Sequence, residues 1–189
     1  MHTTRLQLRE FTHDDAAFVL RLLNEPSFLL HIGDKRVRDE AQARAYLDTG
    51  PIASYRAHGF GLWLVACRAT GQPMGMCGLI RRDALPDVDL GYAFLPAFWG
   101  QGLAREAASA TVAAAASRFG LRRLLAIVAP ANTRSIHLLE TLGFGFERMV
   151  QMAPGEPELR LFARSLTAAA DAHDQSGGSD RAELPARRP

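Results

Sequence analysis

The pattern of apolar and polar positions switches repeatedly between a strand period and a helix period. Apolar runs of five to nine residues predict strands, and segments in which apolar residues recur every three or four positions predict helices. The predicted strands are 5–9, 61–68, 74–82, 87–95, 123–128, 146–152 and 158–165, and the predicted helices are 14–24, 27–31, 38–48, 103–119 and 133–142. This mixed order predicts an α/β chain with a central sheet flanked by helices.

The last predicted helix has recognisable residues at both ends. Asn132 precedes it, and asparagine is a preferred N-cap because its side-chain oxygen accepts a hydrogen bond from a first-turn N–H group. Gly143 follows it and suits the left-handed conformation that commonly ends a helix. Asn132 therefore has a structural role to fill whether or not it also contacts a ligand.

A glycine-rich loop joins a predicted strand to the long helix 103–119. Gly100 and Gly102 stand two residues apart just before that helix, followed by Leu103, Ala104 and Arg105. Glycines let the backbone approach a ligand closely, and first-turn N–H groups have no partner within the helix. The helix dipole adds positive charge at the same end. The N–H groups from Gln101 to Arg105 are therefore candidates for binding a phosphate or pyrophosphate.

Two common phosphate loops fit this segment poorly. A Walker A loop needs Gly-Lys-Ser/Thr, whereas Leu103 and Ala104 follow Gly102. A dinucleotide loop needs a third small residue and an acid about 20 positions later for the ribose, and Arg105 occupies that third position while the strand 123–128 is followed by no acid. A third pattern, the acyl-CoA loop Q/R-x-x-G-x-G/A, matches at Gly102 and Ala104 and departs at its first position, where Trp99 stands.

Three segments together resemble the GNAT acetyltransferases. Residues 90–104 resemble the strand, proline turn and pyrophosphate loop of that superfamily, and residues 132–144 resemble its signature N-x-x-[SA]-x-x-L-x-E-x-x-G-F. Residues 4–16 and Trp99 resemble the RimJ/RimL-like branch. The resemblance runs from about residue 3 to residue 166. It implies a GNAT fold, with a mixed, mostly antiparallel sheet of about seven strands, a splayed pair of strands and flanking helices.

The resemblance also implies a co-substrate and the residues that hold it. Acetyl-CoA would bind the N–H groups of the loop from Gly100 to Arg105 through its pyrophosphate. In the family, the strand before the loop splays from its neighbour and pairs with the pantetheine arm, and Phe94 occupies the matching position. The N–H of Phe94 or of Leu95 is the expected donor to the thioester oxygen. Asn132 is expected to contact the pantetheine arm in addition to capping its helix.

The catalytic residues are less closely specified by the motifs. Asp89 stands where the RimJ/RimL-like branch usually has Glu before I-G-Y, so it is the expected base, but Asp87 on the same predicted strand and ordered water remain alternatives. Many members carry a tyrosine immediately before the Glu of the second signature, and here that position is Leu139. Ser135 takes the [SA] position and is the expected acid for the departing thiolate.

Composition adds limits on organisation and partners. The chain of 189 residues with 48% hydrophobic content suffices for one domain, expected over 1–167, with a polar tail over 168–189. A net charge of +2 gives no reason to expect a nucleic-acid partner, and no membrane span or export signal is visible, so a cytoplasmic protein is expected, and the RimJ/RimL-like resemblance implies a bacterial one. The six histidines show no ligand spacing, so no metal site is expected. A homodimer stays an open alternative.

These observations predict an N-acetyltransferase that moves an acetyl group from acetyl-CoA to a primary amine by direct attack in a ternary complex. The amine is either a protein N-terminus or a small molecule such as a polyamine, an amino acid or an antibiotic. A non-catalytic acyl-CoA-binding module is the alternative from another class, and a dinucleotide-binding oxidoreductase is a more distant one. Carboxylates in the segments expected around the acceptor would suit a cationic amine.

Overall fold

The computed structural model describes residues 1–166, so the whole of the predicted tail 168–189 and the exact end of the predicted domain lie outside the described residues. The strands are β1 (Leu6–Arg9), β2 (Leu62–Cys67), β3 (Pro73–Ile80), β4 (Asp89–Phe94), β5 (Arg123–Val128), β6 (Gly145–Val150) and β7 (Leu159–Ser165). The helices are α1 (Ala16–Leu23), α2 (Pro26–His31), α3 (Glu40–Leu47), α4 (Ala53–His58), α5 (Leu103–Ser117) and α6 (Thr133–Thr141).

All seven strands form one sheet in the order β1-β2-β3-β4-β5-β7-β6. Every neighbouring pair is antiparallel except β4 and β5, which are parallel. The crossover between these two strands is α5, as a parallel pair requires. The expectation of a mixed, mostly antiparallel sheet of seven strands flanked by helices is confirmed.

The parallel pair is joined at one end only. Within residues 1–166, the pairing of β4 with β5 is confined to Asp89 opposite Leu125, next to the hydrogen bond from the Leu125 N–H to the Val88 carbonyl. β5 instead pairs with β7 along its whole length. The two strands therefore leave a gap between them from Leu90 onward. This gap is the splayed pair of strands that the resemblance to the GNAT acetyltransferases implies.

Alternation of side chains divides the core between the two faces of the sheet. On one face, Leu90 and Phe94 of β4 pack with Ala107 of α5 and Leu139 of α6. On the other face, residues of β2 and β3 and Ala93 of β4 pack with α1 and α3. The face that carries α5 and α6 is called the α5–α6 face, and the face that carries α1 and α3 is called the α1–α3 face.

The helix α4 is the main element that the hydrophobic pattern did not predict. A one-turn π-helix, Asp48–Ile52, connects it to α3 and contains Pro51. The sequence Gly50-Pro51 indicated the end of a helix, because proline lacks the N–H group that a continuing helix needs. The wider π turn carries the chain past Pro51, and α4 then ends at Gly59 in the left-handed conformation. Among the described residues, no helix has the length and apolar character needed to cross a membrane.

Candidate functional site

The loop before α5 presents backbone donors rather than side chains. Gly100 and Gly102 both have φ near +73°, a conformation that non-glycine residues rarely adopt. Gly102 is the N-cap of α5 and has no side chain to cap it, and the first intrahelical bond runs from the Glu106 N–H to the Gly102 carbonyl. The N–H groups of Leu103, Ala104 and Arg105 are thus left without helical partners. They converge at the positive end of a 15-residue helix dipole.

An ion pair made by Arg5, the residue just before β1, fixes this loop in place. The Arg5 side chain donates from Nε to Glu106 (2.6 Å) and from Nη1 to the Gln101 carbonyl (2.8 Å). The Thr3 hydroxyl and the Arg5 N–H also donate to the Glu106 carboxylate, at 2.5 and 2.8 Å. Partial desolvation opposes ionisation, but these donors together lower the pKa of Glu106. The carboxylate is therefore engaged inside the fold, and its charge is offset beside the helix N-terminus.

Strand pairing determines which backbone groups face the gap between β4 and β5. Phe94 lies opposite Gly75 on β3, and the next residue, Leu95, donates its N–H to the Met74 carbonyl at 2.9 Å. In an antiparallel pair, hydrogen-bonded and non-hydrogen-bonded positions alternate. The N–H of Phe94 consequently points away from β3 and into the gap. Of the two expected oxyanion donors, the Leu95 N–H is engaged with β3 in this structure, and the Phe94 N–H is the one that faces the gap.

Trp99 organises the same end of the gap. Its indole N–H donates to the Phe94 carbonyl at 2.8 Å, and the Arg134 guanidinium lies 5.4 Å from the ring centre. These contacts link the glycine loop, β4 and the first turn of α6. Because the Phe94 carbonyl is occupied by the indole, the N–H is the backbone group that this residue offers to a ligand in the gap.

Two hydroxyl groups meet on the α5–α6 face, across the gap. The side-chain oxygen of Asn132 accepts from the Ser135 N–H at 3.1 Å, so Asn132 is the N-cap of α6. The Ser135 hydroxyl lies 2.7 Å from the Tyr92 hydroxyl, and Tyr92 extends from β4. Burial raises the pKa of Tyr92, and the hydrogen bond with Ser135 opposes the shift. Both hydroxyls are protonated at neutral pH and form a connected pair of donors.

Asp89 lies at the closed end of the gap, with its side chain toward the α1–α3 face. Its side chain is 1% exposed, and Arg82 donates from Nε to Oδ1 at 2.9 Å. Burial raises the pKa of Asp89, while the charge and hydrogen bond of Arg82 oppose the shift. The competing candidate Asp87 precedes β4, has a 37% exposed side chain and accepts from Arg123 at 3.0 Å. The two carboxylates are thus in different environments.

The sequence-predicted residues fall into groups around one gap. The loop from Gly100 to Arg105 and the Phe94 N–H lie at its open end, Asn132 and Ser135 border it on α6, and Asp89 lies where it closes. The sequence analysis did not single out Arg5, Arg82 or Tyr92, and it used Trp99 only as a feature of the RimJ/RimL-like resemblance. The position of Arg82 could have been predicted from the sequence. Ile80 pairs with Asp89 in the β3–β4 hairpin, and Arg82 lies two residues beyond Ile80, at the turn.

Within residues 1–166, no group of three or more His, Cys, Asp and Glu side chains is arranged to hold a metal ion. An open cavity of about 560 Å³ adjoins the glycine loop on the β1 side, where Arg5, Gln101 and Leu103 are among its lining residues. The loop is therefore accessible from solvent on that side as well as from the gap.

Comparison with known proteins identifies a family that matches this architecture. The family model described as an acetyltransferase (GNAT) domain matches residues 5–145. An uncharacterised N-acetyltransferase of Bacillus subtilis (strain 168), YoaA, is 27% identical over 155 residues, which cover 80% of this chain and 85% of YoaA. The match to the family model thus includes the glycine loop, β4, β5 and all of α6.

Solved structures show the same fold. An acetyltransferase from Agrobacterium tumefaciens strain C58 superposes with a TM-score of 0.75 at 22% identity, covering 87% of this chain and 92% of that one. RimL, a ribosomal L7/L12 alpha-N-protein acetyltransferase solved in complex with coenzyme A, superposes with a TM-score of 0.75 at 18% identity, covering 88% and 97%. At these identities the likeness concerns the fold.

Proposed function

The chain belongs to the GNAT acetyltransferase family, and on that premise we propose that it transfers the acetyl group of acetyl-CoA directly to a primary amine, with both substrates bound together. The observation that carries this proposal is the gap between β4 and β5, which opens beside the uncapped N-terminus of α5. A gap lined by unpaired strand edges suits an extended pantetheine arm, and free first-turn N–H groups suit a pyrophosphate.

The proposed binding roles follow from the free polar groups. The N–H groups from Gln101 to Arg105 would bind the pyrophosphate, with Gly100 and Gly102 allowing its close approach. Asn132 uses its side-chain oxygen for capping, which leaves its amide NH₂ to donate to a pantetheine carbonyl. The Phe94 N–H would donate to the thioester oxygen, where negative charge develops as the amine attacks.

The proposed chemistry has one bond-forming and one bond-breaking event at the thioester carbon. The amine nitrogen forms a bond to that carbon, and the carbon–sulfur bond then breaks. The departing thiolate would receive a proton from the Ser135 hydroxyl, Ser135 would take one in turn from Tyr92 at 2.7 Å, and solvent would return a proton to Tyr92 once the products leave. Tyr92 thus supplies a hydroxyl at the site even though Leu139 replaces the tyrosine of the family motif.

Asp89 is the proposed acceptor of the proton that the amine releases. Its raised pKa makes the carboxylate a stronger base than an exposed aspartate, and Asp87 lacks this environment. Because its side chain is only 1% exposed and lies five residues along β4 from Phe94, roughly 16 Å at about 3.3 Å per residue, we propose that a chain of water molecules relays the proton. The acceptor is a protein N-terminus, as the name of RimL states for that relative, or a small amine.

The test is an amine panel with free CoA and N-acetyl product as paired readouts. The panel contains N-terminal peptides, amino acids, polyamines and aminoglycosides, each offered with acetyl-CoA. We expect at least one class to be acetylated with equimolar CoA release. With that acceptor, initial rates at varied concentrations of both substrates should give intersecting reciprocal plots. Parallel plots, which indicate an acetylated enzyme intermediate, would contradict direct transfer.

A further inference from the structure

Two arginines stand opposite each other at the open cavity on the β1 side of the glycine loop. Leu6 of β1 pairs with Cys67 of β2, and one residue farther out the Arg68 N–H donates to the Arg5 carbonyl at 2.9 Å. The same register therefore places Arg5 opposite Arg68, and both residues line the cavity. Like charges at directly opposite positions repel, so this pairing costs stability unless an anion offsets the charge.

The protein offsets the charge of one arginine of this pair. The Arg5 side chain donates from Nε to Glu106 at 2.6 Å and from Nη1 to the Gln101 carbonyl at 2.8 Å, which leaves its Nη2. Arg68 donates from Nη1 to the Thr3 carbonyl at 3.1 Å, and within residues 1–166 it has no carboxylate within 4.0 Å. Arg68 therefore keeps an uncompensated positive charge beside the cavity.

The cavity has the size and the position of a subsite next to the glycine loop. Its volume of about 560 Å³ falls in the range of small-molecule sites, roughly 300–1,000 Å³. The described residues that line it include two arginines and no carboxylate. Gln101 and Leu103 also line it, and they flank Gly102, where a Cβ would lie 3.5 Å from the Arg5 Nη2. The cavity thus adjoins the helix N-terminus that is proposed to hold the pyrophosphate.

We propose that this cavity binds the 3′-phosphate of coenzyme A, with Arg68 as its main partner and the Arg5 Nη2 as a second donor. The inference rests on the proposed function, because it takes the pyrophosphate to be held at the N-terminus of α5. In coenzyme A one ribose separates the pyrophosphate from the 3′-phosphate, so the two groups require neighbouring sites, as the loop and the cavity are. A phosphate monoester carries about two negative charges at neutral pH, and planar guanidinium groups bind it through parallel N–H donors.

Cys67 provides a chemical reporter in the same cavity. The sequence has two cysteines, of which Cys77 is fully buried, whereas Cys67 is partly exposed and lines the cavity. Hydrogen bonds from the hydroxyl and the N–H of Thr70, and from the N–H of Ala69, lower the pKa of Cys67, which favours the reactive thiolate. A thiol reagent should therefore modify Cys67 in the folded protein, and a ligand that occupies the cavity should slow this modification.

The first test compares CoA with 3′-dephospho-CoA, which lacks this phosphate and is otherwise identical. In calorimetric titrations of the wild type we expect CoA to bind about 10-fold or more tightly than its dephospho analogue, as for other hydrogen bonds to charged groups. Arg68→Gln should weaken the binding of CoA by about 10-fold and leave that of the analogue nearly unchanged. Arg81→Gln is the matched control and should keep the wild-type ratio, because Arg81 is also exposed and donates from Nη1 to one backbone carbonyl, that of Pro86.

The second test measures alkylation of Cys67 by iodoacetamide, with mass spectrometry of the peptide that contains it. Acetyl-CoA and acetyl-3′-dephospho-CoA are the protecting ligands, since neither has a free thiol. At saturation of the glycine loop by either ligand, acetyl-CoA should slow the alkylation of Cys67 more than the dephospho analogue does. The buried Cys77 should stay unmodified throughout, which confirms that the protein remains folded.

The outcomes separate this inference from the proposed function. An affinity ratio near one in the wild type, a ratio that Arg68→Gln does not change, or an alkylation rate that acetyl-CoA does not lower would overturn the inference, while CoA binding itself would still support the proposed function. Equal protection of Cys67 by inorganic phosphate at the same concentration would also overturn it, since the cavity would then be a site for free phosphate. If the wild type binds neither CoA nor its dephospho analogue, both proposals fail.

Discussion

Replacing Gly102 with aspartate or asparagine isolates the charge that the α5 N-terminus is proposed to bind. Gly102 has φ near +73°, and a Cβ placed there would meet only the Arg5 Nη2, at 3.5 Å. The position therefore has room for a side chain, and the left-handed conformation is its main restriction. Asp and Asn are the non-glycine residues that tolerate this conformation best, and they are nearly the same size. The difference between the two variants therefore reports a negative charge beside the bound pyrophosphate.

The expected size of that difference follows from Coulomb's law. Two unit charges 5 Å apart interact with about 3 kcal/mol at an effective dielectric constant near 20. At about 1.4 kcal/mol per factor of ten, this corresponds to about a 100-fold loss of affinity. Arg5 lies close enough to pair with the new carboxylate and offset part of its charge. We therefore expect Gly102→Asp to bind CoA about 10- to 100-fold more weakly than Gly102→Asn.

Calorimetric titration of CoA into both variants measures this ratio directly. Both variants should unfold at similar temperatures, because each has the same backbone restriction, and thermal melts provide the control. The ratio should also shrink at high salt, since ionic screening weakens the repulsion. Equal CoA affinity in two folded variants would refute the assignment of the pyrophosphate to this loop.

The remaining predictions concern the proton transfers and the ion pair of Arg5 and Glu106 that holds the glycine loop. Asp89→Asn should lower turnover by about 10²–10⁴ without changing CoA affinity, and the loss should shrink at high pH, where more of the amine is already neutral. The matched variant Asp87→Asn should keep the wild-type rate; the reverse outcome would make Asp87 the base. Ser135→Ala and Tyr92→Phe should each slow turnover by about 10-fold, and the double variant should be little worse because the hydroxyls act as one pair; wild-type rates in both would leave the thiolate departing unaided. Glu106→Gln should lower the free energy of unfolding by about 1–2 kcal/mol at pH 7 in urea titrations. Folding lowers the pKa of Glu106, so the stability that its carboxylate contributes is complete above the unfolded pKa of about 4.5 and is lost as the pH falls through the folded pKa. The difference in unfolding free energy between Glu106→Gln and the wild type should therefore disappear in acid. A difference that does not depend on pH would contradict this.

The glycine loop and α6 could be predicted from the sequence because their signals are local. Gly102 and Asn132 each stand immediately before a helix, and their roles depend on the backbone of the next three residues. The choice between Phe94 and Leu95 was not local. It depends on whether the N–H of Phe94 or that of Leu95 bonds to the Met74 carbonyl of β3, and the sequence determines strand register only through such tertiary contacts.

The side-chain pairs of the site were largely beyond the reach of sequence patterns. Tyr92 and Ser135 are 43 residues apart and meet only because α6 packs on the same face of the sheet as the Tyr92 side chain. The ion pair of Arg5 and Glu106 joins residues 101 positions apart in the sequence. Arg82 was the exception, since the hairpin register brings it to Asp89. Periodicity predicts which face a residue occupies, but it does not predict which partner lies there.

The most direct test of the central claim follows an isotope-labelled acetyl group from acetyl-CoA. The wild type is incubated with labelled acetyl-CoA and an accepted amine, and mass spectrometry measures the acceptor while a thiol reagent measures free CoA. We expect the label on the amine nitrogen, with one CoA released for each acetyl group transferred, and a markedly lower rate with Gly102→Asp at subsaturating acetyl-CoA. Release of CoA with the label recovered only as acetate, or no label on any amine, would contradict the claim.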